Sequence, residues 1–180
     1  MAAVTKRRVE EGNAKMVLEQ KETDKMQYQG TSSCAGRFAA CGQLETWVHA
    51  YLRSDGRNTP FSDGLRRTQR YYLGPAQMPL TLFQRCCGPE IGMKWPVEAD
   101  GFEKRVAALE AAICAGADIP PLIVGFSQGV FELNDGNHRW EAYHRLGIET
   151  GQVIIWITGQ ADLTLFLSRY GKLFTAASKK

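Results

Sequence analysis

The stretch Asp135-Gly136-Asn137-His138-Arg139 constrains the fold of this chain most, because the residues on either side of it require a strand to turn into a helix within it. Residues 130–134 alternate apolar and polar side chains, which reads as a half-buried strand, and Asp135-Gly136 supplies the turn chemistry that ends it. Residues 140–146 place Trp140, Tyr143 and Leu146 three apart, and Gly147 follows as a C-cap. The helix must therefore begin near Asn137. Asn137, His138 and Arg139 then lie in its first turn, where unpaired backbone N–H groups and the positive end of the helix dipole attract an anion. Arg139 adds a planar fork of donors suited to phosphate oxygens. A plainer reading exists for the same residues: Asp135 and Asn137 cap the helix, and Arg139 pairs with a neighbouring carboxylate.

The flanking segments extend the pattern. Residues 118–125 read as a helix exit, a double-proline stop and a buried strand, and residues 153–157 as another buried strand. In this order of elements the chain resembles the ParB/sulfiredoxin superfamily from about Met78 to Trp156. The resemblance implies a compact α+β fold, a mixed sheet with packed helices, and a nucleotide site at the DGNHR turn. Sulfiredoxin places a catalytic cysteine directly before its His-Arg pair, and Asn137 stands there instead. Partition proteins of the ParB type usually have an acidic residue and a second Arg where this chain has Asn137 and His138, and continue into a helix-turn-helix domain, which is not expected within these 180 residues. The motif is most similar to the free serine kinase branch, which carries Asp-Gly-His-His-Arg and an upstream glutamate as base. Residues 78–90 resemble that family's opening strand and loop, which puts Glu90 at the position of the base. Pro89 fixes the backbone before it. The alternative for Glu90 is a solvated loop glutamate.

Phosphoryl transfer needs positioning and charge neutralisation more than covalent participation. On this resemblance Gly136, Asn137, His138 and Arg139 form the phosphate cradle for ATP, ADP or another nucleotide. Asp135 is the candidate Mg²⁺ contact, since magnesium is commonly held by one or two carboxylates plus phosphate oxygens. Glu90 accepts the hydroxyl proton, and His138 can donate to a phosphate oxygen in either protonation state. Arg85 and Arg70 are candidate contacts to an anionic small-molecule substrate. The expected activity is a small phosphotransferase or phosphohydrolase. The alternative is a ParB-like module in which a nucleotide switches a nucleic-acid or protein contact; a nuclease would require a metal cluster that the sequence lacks.

The remaining residues set the organisation. Residues 1–30 mix both charges with few apolar residues and read as a mobile arm or solvated helix. Residues 31–75 form a helical extension, with one amphipathic helix expected over residues 33–52 from Phe38, Cys41, Leu44, Trp47, Val48, Tyr51 and Leu52. Residues 76–180 form the nucleotide-binding domain. Within it, Asp100-Gly101-Phe102-Glu103 reads as a capping box before a core-facing stripe of Phe102, Val106, Leu109, Ala112 and Ile113, and residues 160–170 as a last helix. An apolar content of 44% in 180 residues suits an ordinary globular core. No run approaches a membrane span and no signal-type apolar core follows the N-terminus, so a cytoplasmic location is expected. An odd set of five cysteines without C-x-x-C spacing, two of them the adjacent Cys86 and Cys87, and three scattered histidines suit neither a disulfide framework nor a zinc site. Between Arg53 and Lys94, seven basic residues face three acidic ones beside Tyr71 and Tyr72, which admits nucleic acid as a partner without favouring it over an anionic small molecule. A homodimer is also compatible with the sequence.

Overall fold

The computed structural model describes residues 27–175. Most of the charged arm, residues 1–26, lies outside them. Three helices come first: α1 (Ser32–Ala40), α2 (Leu44–Arg53) and α3 (Thr59–Leu65). Strand β1 (Tyr71–Pro79) follows, then the short strands β2 (Gln84–Arg85), β3 (Cys87–Gly88) and β4 (Trp95–Pro96), and helix α4 (Ala99–Cys114). The chain continues through β5 (Leu122–Ser127), β6 (Val130–Asp135), α5 (Asn137–Arg145), β7 (Thr150–Ile157) and α6 (Gln160–Thr175).

The five-stranded sheet has the order β1-β7-β5-β6-β2. It is mixed: β1 runs antiparallel to β7, β7 parallel to β5, β5 antiparallel to β6, and β6 parallel to β2. The α+β class expected from the sequence is the one observed. Strands β5 and β7 are continuous apolar runs because both faces of the sheet are covered. On one face Leu122, Val124, Phe126, Val153, Ile155 and Ile157 pack under Phe166 of α6. On the other, Ile123 and Ile154 meet Phe38, Trp47, Val48 and Leu52 of α1 and α2. Residues 32–65 are thus a covering layer of the sheet, and the expected boundary after residue 75 falls inside strand β1.

Two sequence expectations are corrected. The single helix over residues 33–52 is two, because Gly42 takes a left-handed φ of 69° and closes α1 with bonds from Gly42 N to Ala39 O and from Gln43 N to Phe38 O. The apolar spacing continues across the break because both helices cover the same sheet. The cap of α4 is not Asp100 but Glu98, whose carboxylate accepts from the N–H groups of Asp100 and Gly101 at 2.7 and 2.6 Å. Glu103 instead pairs with Arg145 of α5.

Because Ile154 joins the sheet to the helical layer and is fully buried, Ile154→Ala should destabilise the whole chain by about 2–5 kcal/mol in urea unfolding. A single cooperative transition is expected. A separate early transition of α1–α3 would show that they are an independent unit.

Candidate functional site

Strand β6 ends at Asp135 and α5 begins at Asn137, as the sequence reading expected. Gly136 joins them with φ 101°. A Cβ there would approach Leu122 Cδ2 to 2.6 Å and Arg139 Nη2 to 3.0 Å, so the turn has no room for a side chain. No side chain caps the helix N-terminus. The backbone N–H groups of its first turn have no acceptor within the helix, and Gly136, Asn137, His138 and Arg139 all line one cavity of about 760 Å³.

The side chains of the motif divide their roles differently from the sequence expectation. Arg139 is only 5% exposed. Its guanidinium donates to Pro120 O at 2.8 Å and Pro121 O at 2.6 Å and pairs with Asp135, while lying 5.3 Å from the Tyr51 ring centre. Arg139 is therefore a buried tie between the double-proline entry of β5 and the end of β6, and not an open fork. The plainer reading of this pair is the one its geometry matches. Asp135 is committed to Arg139 and to the Tyr51 hydroxyl; burial pushes its carboxyl above the usual range even though the Arg139 charge pulls it down. Such a carboxylate does not fit a magnesium ligand, and the described residues contain no cluster of three or more His, Cys, Asp or Glu that could hold a metal.

Asn137 is buried, and its side-chain Oδ1 accepts from Cys86 N at 3.1 Å and Cys87 N at 3.2 Å. It clamps the chain after β2 against the helix start. Cys86 is packed, its thiol donating to Leu133 O at 2.9 Å, and burial pushes its pKa up, so it is not poised as a nucleophile. His138 rests on the Phe102 ring with centroids 4.5 Å apart. Burial, then the charges of Arg105, Arg139 and Arg85, hold its pKa down at about 4. It is a neutral imidazole at physiological pH.

The other expected site residues sit outside the cavity wall. Arg85 has a side chain 10% exposed, flanked by the rings of Phe102 and Trp140 at 5.5 and 5.6 Å. It pairs with Glu90 and lies 3.4 Å from Glu141, which also binds Arg145, which in turn binds Glu103. Glu90 is exposed at the end of this chain of alternating charges; desolvation raises its pKa, but the hydrogen bond from Arg85, a backbone hydrogen bond and the Arg85 charge together hold it below the usual carboxylate range. Arg70 lies 4.6 Å over the Trp156 ring and donates to Leu65 O and Thr158. Arg53 and Lys94 are paired with Asp63 and Glu132.

The cavity wall includes residues that the sequence reading did not select. Tyr51, Asp55, Asn58 and Phe61 come from the helical layer, Trp95 from β4, and Arg105 and Leu109 from α4. Arg105 lies one turn beyond Phe102 of the α4 stripe, a spacing readable in the sequence, but its approach to His138 is set by the fold. The contribution of Tyr51 depends on the fold bringing a helix from a different sequence region to the DGNHR turn, which spacing alone does not reveal.

No protein-family model and no curated protein matches the chain. Among solved structures it is similar to sulfiredoxin and to ParB N-terminal domains. Sulfiredoxin from Arabidopsis thaliana is 21% identical over 55% of this chain and 97% of that one, with a TM-score of 0.36. The C-terminally truncated chromosome-partitioning protein ParB from Caulobacter crescentus, complexed with CTP-γ-S, is 18% identical over 57% of this chain and 53% of that one, with a TM-score of 0.34. A Pnob8-like ParB-N domain is 16% identical over 59% of this chain and 37% of that one, also at 0.34.

The His138 pKa generates a pH dependence. The imidazole has a folded pKa near 4 and an ordinary unfolded value of 6.5, so the unfolded state binds the proton first. Its contribution to stability should be complete above about pH 6.5 and lost as pH falls towards 4. Thermal unfolding across that window should fall less steeply for His138→Phe than for the unsubstituted protein. Equal slopes would mean that His138 is solvated.

Proposed function

We propose that the protein binds a nucleoside di- or triphosphate, with the phosphates on the first-turn amides of α5. The observation that carries this reading is the uncapped N-terminus of α5 opening, through Gly136 at φ 101°, on a cavity of about 760 Å³ that also holds Arg105. Helix-terminal amides offer directed donors and a favourable dipole to an anion. Arg105 is exposed and supplies a guanidinium able to pair with a phosphate. His138, neutral and lining the same wall, can donate one N–H without adding charge. The volume suits a ligand of nucleotide size.

Nucleotide at one hundred times its dissociation constant should stabilise the fold by about 2.7 kcal/mol, read as a thermal shift. Arg105→Ala should weaken binding roughly tenfold, as expected for loss of a charge-assisted hydrogen bond. No shift with ATP, ADP or CTP, with or without Mg²⁺ in the buffer, would remove the reading.

The reaction we assign to this site is phosphoryl transfer to a small hydroxyl acceptor, or hydrolysis of the nucleotide. Its support is the similarity of DGNHR to the free serine kinase motif, together with Glu90 at the position of that branch's base. Glu90 stands outside the cavity wall, near Cys87, which lines it. The carboxylate is ionised, held by Arg85, and so able to accept a proton. Glu90→Gln should lose about a hundredfold or more in turnover with nucleotide binding retained. Full turnover in Glu90→Gln would leave the protein a binding module.

A further inference from the structure

Trp95 differs from the other three tryptophans. Trp47, Trp140 and Trp156 donate their indole N–H groups to Gln29 O, Leu80 O and Asn134 Oδ1 at 3.0, 3.1 and 2.9 Å. Each is packed in or against the body of the domain. Trp95 is 61% exposed and lines the same cavity as the α5 N-terminus. Leaving so large an apolar ring in water forgoes the stabilisation that burial gives it.

The backbone nevertheless holds Trp95 firmly in place. Its N–H bonds Cys86 O at 2.9 Å, Val97 N bonds Gly88 O at 3.1 Å, and β4 runs parallel to β3. The N–H groups of Cys86 and Cys87 are in turn bound by Asn137 Oδ1. Lys94, the preceding residue, is anchored to Glu132 at 2.9 Å. One buried side chain, Asn137, therefore couples the helix turn that faces the phosphates to the strand that presents the ring. Phe61 and Leu109 continue the apolar wall.

We infer that Trp95 is the platform on which the base of the bound nucleotide stacks, making it the residue that distinguishes a nucleotide from a bare polyphosphate. The inference rests on the nucleotide reading above and adds the ligand's base to it. Stacking on an aromatic face is tolerant of base identity and leaves the phosphate contacts untouched. The exposed ring is then an interface that the ligand completes.

The experiment compares ATP, CTP and inorganic pyrophosphate by calorimetry on the unsubstituted protein, Trp95→Phe and Trp95→Leu, with thermal unfolding to confirm the fold of each. Trp95→Leu should bind both nucleotides roughly tenfold to a hundredfold more weakly, bind pyrophosphate unchanged, and be largely restored in Trp95→Phe. Unchanged nucleotide affinity in Trp95→Leu overturns the stacking role, as does an equal loss for pyrophosphate, which would make Trp95 a support for the phosphate site. Failure of the unsubstituted protein to bind any of the three would instead overturn the nucleotide reading, and the stacking role with it.

Discussion

The site depends on one buried ion pair. Arg139 and Asp135 are four residues apart across the Gly136 turn, and Arg139 also donates to the carbonyls of Pro120 and Pro121. A buried charge left without its partner costs several kcal/mol, so neither member can be lost singly without cost. The pair holds the end of β6, the start of α5 and the entry to β5 in one arrangement. That arrangement leaves the first-turn amides uncapped and facing the cavity. The motif's most conspicuous cation therefore holds the turn in place, and the phosphate contacts we propose are the backbone amides and Arg105.

The cavity is a product of two layers. The sheet and its connections supply the helix terminus, and α2 and α3 supply Tyr51, Asp55, Asn58 and Phe61. Tyr51 takes part in both, since its ring lies over Arg139 and its hydroxyl meets Asp135, with burial raising its pKa to about 12. The alternating chain Glu90-Arg85-Glu141-Arg145-Glu103 ties the β2 loop to α5 and α4. Asn137 binds that loop's backbone from within. The helix start is thus fixed by both.

What was legible in the sequence was local. Alternation ended β6, Gly136 required the turn, Gly147 closed α5 with Ile148 N bonded to Tyr143 O at 2.9 Å, and the apolar runs of β5 and β7 marked strands buried on both faces. What was not legible was which charges neutralise one another. Arg70 and Arg85 read as available donors because Thr158 and Glu141 come near only after folding, whereas Asp135, the partner of Arg139, lies within the motif and was open to the plainer reading. The break at Gly42 was hidden for a related reason: the apolar spacing that suggested one helix is preserved when two helices cover one sheet. Trp95 gave no periodic signal because it lies on a two-residue strand.

The central claim is that backbone amides of the α5 first turn hold the phosphates, and amide chemical shifts report it most directly. In a ¹H–¹⁵N titration of the full chain with ATP, the largest saturable shifts should fall on the amides of Asn137, His138 and Arg139 and on the Trp95 indole. Titration with pyrophosphate should move the same amides and leave the indole in place. Saturable shifts that spare residues 136–139, or none at all, would contradict the account.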